Sequence, residues 1–186
     1  MTLGVLELLR QAGALRQGHT VLQGGAHADG WIDKGPVMRD PGTLDEVALL
    51  QAGQLRGAWP DATLLVGVPE CGAVLAAFVA RHLRLPVAFV RVGEAPAWHR
   101  MHVPVAPQRV VIVEDLIGTG RGVRTAAAFL EGEGHTVLGV SAWINRADLS
   151  PLASQTLAAT PYPGVPENRC LHCAQGAQVA FRGVRE

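Results

Sequence analysis

The stretch from Val110 to Val123, VVIVEDLIGTGRGV, constrains the fold of this chain more than any other. Its apolar run at Arg109–Val113 lacks polar alternation, which predicts a strand buried on both faces of a parallel sheet. Two adjacent carboxylates, Glu114 and Asp115, follow at the carboxyl end of the run. Gly118, Thr119, Gly120 and Gly122 then form a loop that opens a helix-like segment, Val123–Glu131. Backbone N–H groups at such a turn, backed by a helix N-terminus, make a natural phosphate cradle. Carboxylates repel a phosphate but accept hydrogen bonds from vicinal hydroxyls. The pattern therefore predicts a ligand that carries sugar hydroxyls beside a phosphate.

Two commoner phosphate motifs are absent. A P-loop needs Gly-Lys-Ser/Thr, and the only lysine of the chain is Lys34. A dinucleotide fingerprint places its acid about 20 residues after the glycines. Here the acids come first, and Val123 occupies the position of the third glycine.

The same rhythm of strand, glycine loop and helix runs through the middle of the chain. Ala62–Val66 reads as a strand, Gly67–Gly72 as a loop and Ala73–Leu83 as a helix. Pro86–Val90 and Thr136–Ile144 read as two more strands. Upstream, Leu3, Leu6, Leu9, Ala12 and Leu15 have helical spacing, and Thr43–Trp59 reads as a helix capped by Thr43 with Glu46. Short extended segments are expected near Thr20–Leu22 and Trp31–Asp33. The predicted fold class is α/β, a mostly parallel central sheet flanked by helices. It forms a single domain over 1–186, with a small N-terminal hood at 1–42, a core at 43–150 and a C-terminal extension at 151–186. Residues 92–108 and the tail from Pro151 show no clear periodicity.

With 48% hydrophobic residues, the 186-residue chain has ample apolar surface for one core, and disorder is excluded. Basic and acidic residues balance at 16 each, which disfavours nucleic acid as a partner. No apolar run reaches the ~20 residues of a membrane span. Three cysteines, Cys71, Cys170 and Cys173, are too few for a secreted disulfide scaffold, so a cytoplasmic protein is expected. Cys170 and Cys173 have the spacing of half a zinc site. His172 and Cys71 are candidates for the missing ligands, but the pair is read here as two free thiols, with no protein metal site assigned.

Val110–Val123 resembles the 5-phosphoribosyl-1-pyrophosphate (PRPP) motif of the type I phosphoribosyltransferase family. Leu6–Leu15, Gly18–His27 and Cys170–Gly176 resemble the orotate branch of that family, in its order along the chain. The resemblance implies transfer of a 5-phosphoribosyl group from PRPP to orotate or a related base, with release of pyrophosphate, in pyrimidine nucleotide biosynthesis. It implies Mg²⁺ on the leaving group and a homodimer. Glu114 and Asp115 would hold the ribose hydroxyls, and Gly118, Thr119, Gly120, Arg121 and Gly122 would wrap the 5′-phosphate, flanked by Leu116 and Ile117. Glu70, Cys71 and Gly72 fall in the loop that contacts pyrophosphate. Arg146 matches the arginine that binds the base, with Gly118, Gly25 and His27 as further base contacts. Arg91, His99, Arg100 and His102 would supply the cations of the catalytic loop, so Arg91, His99 and Arg100 join Glu114 and Asp115 as catalytic candidates.

The chain departs from that pattern at several points. Gln23-Gly24-Gly25 and Ala28 replace a cationic, serine-containing segment, Gly118 replaces a hydroxyl residue, and 91–100 has no lysine. These differences leave open a PRPP-binding protein without turnover, or transfer to another base. Trp98 is expected either to cover the site or to anchor its loop.

Overall fold

A computed structural model describes residues 3–105 and 107–183. Helix α1 (Val5–Gln11) leads into a hairpin of β1 (Leu15–Val21) and β2 (His27–Ile32). A short α2 (Gly35–Arg39) and the long α3 (Pro41–Ala58) follow. The core then alternates β3 (Leu64–Gly67), α4 (Cys71–Leu83), β4 (Val87–Arg91), β5 (Ala97–Trp98), β6 (Arg109–Ile117), α5 (Arg121–Gly132) and β7 (Thr136–Asn145). The tail adds β8 (Ser154–Thr156), a 3₁₀ turn at Glu167–Arg169, α6 (Leu171–Ala174) and β9 (Phe181–Arg182).

Six strands form the main sheet in the order β5-β4-β3-β6-β7-β8. All neighbours are parallel except β5, which runs antiparallel to β4. The unbroken apolar runs are explained by two cores, one on each face. Leu65, Val111 and Val113 pack with α1, α3 and α4, whereas Leu64, Val66, Val110 and Ile112 pack with α5. Each such fully buried aliphatic side chain contributes about 1.5–3 kcal/mol. On α5 the buried residues are Val123, Ala126, Ala127 and Leu130, the stripe that a 3.6-residue period lays on one face.

Several boundaries differ from the sequence reading. Helix α1 stops at Gln11 because Gly13 turns the chain with φ +69, freeing Leu15 to start β1. The cap of α3 is Asp40 rather than Thr43: its carboxylate accepts from Thr43 N (3.1 Å) and Thr43 Oγ1 (2.5 Å). Pro41 at the first helical position makes this earlier start favourable. Strand β6 continues through the acid pair to Ile117, because β7 keeps pairing with it as far as Ile117↔Asn145.

The two flanking regions, read separately from sequence, build one structure. A second sheet has the order β2-β1-β9, with the C-terminal β9 parallel to β1 through Thr20↔Phe181 and Val21↔Arg182. An isolated bridge, His27↔Val165, ties β2 to the tail as well. Segment 92–108 is also partly structured, through the two-residue β5. Among the described residues, no helix is long and apolar enough to cross a membrane.

Candidate active site

The carboxyl ends of the parallel strands gather the polar residues that the sequence singles out, as open α/β sheets do. β6 delivers Glu114 and Asp115, β3 leads into the 67–72 loop, β7 ends beside Arg146, and β4 ends at Arg91. The hood hairpin reaches this edge at its tip. A side chain added at Gly118 would start 3.9 Å from Gln23 Oε1, and one at Gly24 would start 4.0 Å from Thr119 Cγ2.

Asp115 is fully buried and is held in place by its own strand and by the hood. Its Oδ1 accepts from Leu116 N (2.5 Å) and from Lys34 Nζ (3.1 Å). Lys34 Nζ also lies 2.9 Å from Oδ2, but no hydrogen bond is aimed at that oxygen among the described residues. A buried carboxylate oxygen with unused lone pairs is a ready acceptor for a ligand hydroxyl. Burial pulls the pKa of Lys34 down, yet attraction to Asp115 and its hydrogen bond outweigh this and leave it raised, so the ammonium stays charged at neutral pH.

Glu114 is placed differently. Its Oε1 accepts from Asp115 N (3.0 Å). Loss of water around it, and then the neighbouring Asp115 charge, push its pKa well above the ordinary value. It packs on the first turn of α4 at Gly72, where any Cβ would fall 2.8 Å from Glu114 Oε1 and 3.0 Å from Val113 O. Glycine is thus what allows α4 to approach the acid pair. Below the pair, the fully buried Gln51 on α3 donates to Ser141 Oγ (3.1 Å) and Glu114 O (3.4 Å), tying α3 to the carboxyl halves of β6 and β7.

The glycine loop runs from Gly118 into α5. Gly120 precedes the helix with φ +75, a left-handed conformation that glycine adopts freely. A Cβ there would also meet Leu149 Cδ2 at 2.7 Å. Thr119 Oγ1 lies 3.4 Å from Arg121 N. Helical geometry leaves the amides of the first turn, Arg121 to Val123, without intrahelical acceptors, so the turn can present them to an anion. On the other side, Glu70, Cys71 and Gly72 form the start of α4 rather than a free loop. Burial raises the Cys71 thiol above its usual pKa, so it is no activated nucleophile.

Arg146 follows β7, its N–H bonded to Ile117 O (2.9 Å) and its Nε 3.3 Å from Thr160 Oγ1. Its Nη2 is buried and finds no partner among the described residues. Burial also lowers its pKa from the ordinary arginine value.

Other predicted residues are placed elsewhere. Arg91 lies at the carboxyl edge, and the adjacent Val92 is 3.7 Å from where a Gly122 side chain would start. From Ala97, however, the chain runs back along β4: His99 N bonds to Phe89 O and His102 Nδ1 lies 3.2 Å from Val87 O. His99 and Arg100 therefore sit along the strand rather than at its end. Trp98 anchors this return, donating to Glu133 Oε2 (3.2 Å) and packing edge-on against Phe129 and His135. His27 belongs to the second sheet. It is buried in the hood, its Nδ1 2.8 Å from His19 Nε2 and 3.3 Å from Cys173 Sγ. Gly25, at φ +83, turns the exposed hairpin tip. Lys34 escaped the sequence reading, although one signal was present: it is the sole lysine of a chain that otherwise uses arginine.

Residues 39–149 match the family model described as phosphoribosyl transferase domain. The chain belongs to that family and is a phosphoribosyltransferase, an enzyme acting on PRPP and a base. It is similar to orotate phosphoribosyltransferase of Thermus thermophilus, with 29% identity over 92% of this chain and 96% of the relative. Orotate phosphoribosyltransferase of Methylorubrum populi is 32% identical over 77% of this chain and 74% of its own length. The fold matches the crystal structure of orotate phosphoribosyltransferase from Aeropyrum pernix at TM-score 0.71 and 23% identity, covering 83% of this chain and 93% of that one.

Proposed function

We propose that this chain transfers 5-phosphoribose from PRPP to orotate or a closely related base, releasing pyrophosphate in pyrimidine nucleotide synthesis. The observation that carries this reading is the buried Asp115, whose Oδ2, ion-paired to Lys34 but receiving no aimed hydrogen bond, lies one loop away from the amides at the start of α5. An acceptor for ribose hydroxyls and a cradle for the 5′-phosphate are thereby offered at one strand end. Gly118 to Gly122 would enclose that phosphate, and the start of α4 at Glu70 to Gly72 would face the diphosphate. Lys34 and Arg91 would provide cations near it.

In this reading a ring nitrogen of the base forms a bond to the anomeric carbon. The bond from that carbon to the diphosphate oxygen breaks, and its electron pair leaves with pyrophosphate. A base that enters as an anion brings no proton to remove, so catalysis rests on positioning and charge. The unpaired Nη2 of Arg146 supports a carbonyl-rich or anionic acceptor. Mg²⁺ fits as a companion of the diphosphate, whose leaving charge it would neutralise. The chain's own acids are engaged, Glu114 by Asp115 N–H and Asp115 by Lys34. A cytoplasmic location and a homodimer complete the reading, the dimer supported by exposed Met101, Val103 and Val105 on one segment. Light scattering would then give twice the chain mass.

The test is pyrophosphate release by the purified protein with PRPP and Mg²⁺, run with orotate, uracil, adenine and guanine in turn. Release with orotate alone is expected. Release with another base instead would move the acceptor, and PRPP binding without release would overturn the reading.

A further inference from the structure

The hood contains a cluster that the transferase chemistry leaves unused. His19 on β1, His27 on β2, and Cys170 and Cys173 at α6 bring one donor atom each within 4.8 Å of all the others. Among the described residues this is the one such group of histidine, cysteine and acidic side chains. His19, His27 and Cys170 are buried, and Cys173 is half-buried.

The distances are those of ligands around a shared ion. A tetrahedral zinc with Zn–N about 2.0–2.1 Å and Zn–S about 2.3 Å places its nitrogen and sulfur ligands roughly 3.5–3.6 Å apart. Cys170 Sγ and Cys173 Sγ lie 3.6 and 3.5 Å from His19 Nε2, and Cys173 Sγ lies 3.3 Å from His27 Nδ1. The two ring nitrogens, at 2.8 Å, need to part by only about half an ångström to span the same centre.

Hydrogen bonds alone use this arrangement poorly. His19 Nδ1 lies 2.9 Å from Ala177 O, and a carbonyl only accepts, so the proton of a neutral ring is on Nδ1. The lone pair on Nε2 then faces three polar atoms at once and can take a proton from only one of them. A cation at the centre engages all four lone pairs together. The Nδ1–H to carbonyl bond is also the outer-shell contact that orients a metal-bound histidine. Two thiolates balance a divalent ion, leaving a neutral centre suited to burial. His172 stands outside the set, stacked on His19 at 5.2 Å with its Nε2 toward Asp29. Cys71 belongs to the active-site edge on α4.

We infer that His19, His27, Cys170 and Cys173 form a structural Cys₂His₂ site for zinc, which fastens the N-terminal hairpin to the C-terminal tail. With four protein ligands the site is closed, so it holds the hood together and does not act on substrate. The soft sulfur and imidazole donors select zinc over the hard ions that phosphates bring.

The full chain, purified under reducing conditions without metal-affinity resin, is expected to carry one zinc per chain by elemental analysis. Exchange with Co²⁺ should give the visible bands of tetrahedral cobalt and a thiolate charge-transfer band. Cys170→Ser and Cys173→Ser should each lose the metal, whereas Cys71→Ser and His172→Ala keep it. Should the serine variants fail to fold, pulsed alkylation of the wild-type chain decides. Zinc should protect Cys170 and Cys173, and a chelator should expose them, with Cys71 unaffected. A reduced chain that carries no zinc and takes up no Co²⁺, or metal loss in Cys71→Ser or His172→Ala equal to that in Cys173→Ser, would overturn the assignment.

Discussion

Lys34 Nζ lies 2.9 Å from Asp115 Oδ2, joining the segment after the hood hairpin to the carboxyl end of the central strand. The pair couples the lone lysine to the most deeply buried acid of the site. Because the folded state raises the lysine pKa, its contribution to stability is complete below the unfolded value and is lost as pH rises through the folded one. The stability difference between wild type and Lys34→Met, from denaturant unfolding, is therefore expected to be flat through neutrality. It should shrink only in the alkaline range, above the ordinary lysine pKa of 10.5.

Glu114 shows the same sign at a much lower pH, so at neutrality it costs stability where Lys34 adds it. Its pKa is raised in the fold, so the folded state holds a proton that the unfolded chain has released, and stability falls as pH rises above the ordinary 4.5. Glu114→Gln should raise the melting temperature of the ligand-free protein at pH 7 by a few degrees, a gain that disappears toward pH 4. The same variant should bind PRPP more weakly. Thermal melts across pH, with calorimetry for PRPP, measure both.

Gly120→Ala puts a side chain at φ +75 and within 2.7 Å of Leu149 Cδ2. A cost of about 1–3 kcal/mol is expected, or roughly 2–10 °C in melting temperature. PRPP affinity should fall with it, since the strain is released by moving the loop whose amides would meet the phosphate.

Arg146→Ala should separate the two substrates. It removes the unpaired buried Nη2 together with one long Nε bond to Thr160 Oγ1, which keeps its bonds to Tyr162, so stability should change by less than about 1 kcal/mol. The KM for the base is expected to rise at least ~10-fold, as befits a lost charged hydrogen bond, while PRPP affinity holds. Initial-rate kinetics with each substrate varied in turn give the answer.

Arg91 and Arg100 are both arginines of the loop region, yet only Arg91 ends a strand at the active edge. Arg91→Ala should lower kcat by about 10²-fold if it meets the diphosphate. Arg100→Ala and His99→Ala should stay within about threefold, as surface changes usually do.

Legibility in the sequence followed the range of the interactions. Glu114, Asp115 and the glycine loop were readable because strand, acids and turn are contiguous, and the uninterrupted apolar run of Val110–Val113 already required helices on both faces. Cap choice at Asp40 was missed because Thr43 also has a capping side chain and the decisive proline lies between them. The return of residues 97–102 along β4 rests on a two-residue strand and on Trp98 reaching Glu133, which no local periodicity records. Cys170 and Cys173 looked like half of a site because the other candidate half, His19 and His27, lies at the far end of the chain. Their proximity depends on the tail docking on the hood, through the His27↔Val165 bridge and β9 pairing with β1.

That pairing has a consequence for the order of events during synthesis. Domains begin to fold as they emerge, starting from the N-terminal end. Strands β3, β4, β6 and β7 are all made by Asn145, so the central sheet can assemble while the tail is still being added. The β1–β2 hairpin waits for Phe181 before it gains its third strand, and a two-stranded hairpin alone is marginal in water. The emerging chain thus holds a finished central sheet under an unfinished roof, which is completed only once Phe181 and Arg182 have been made.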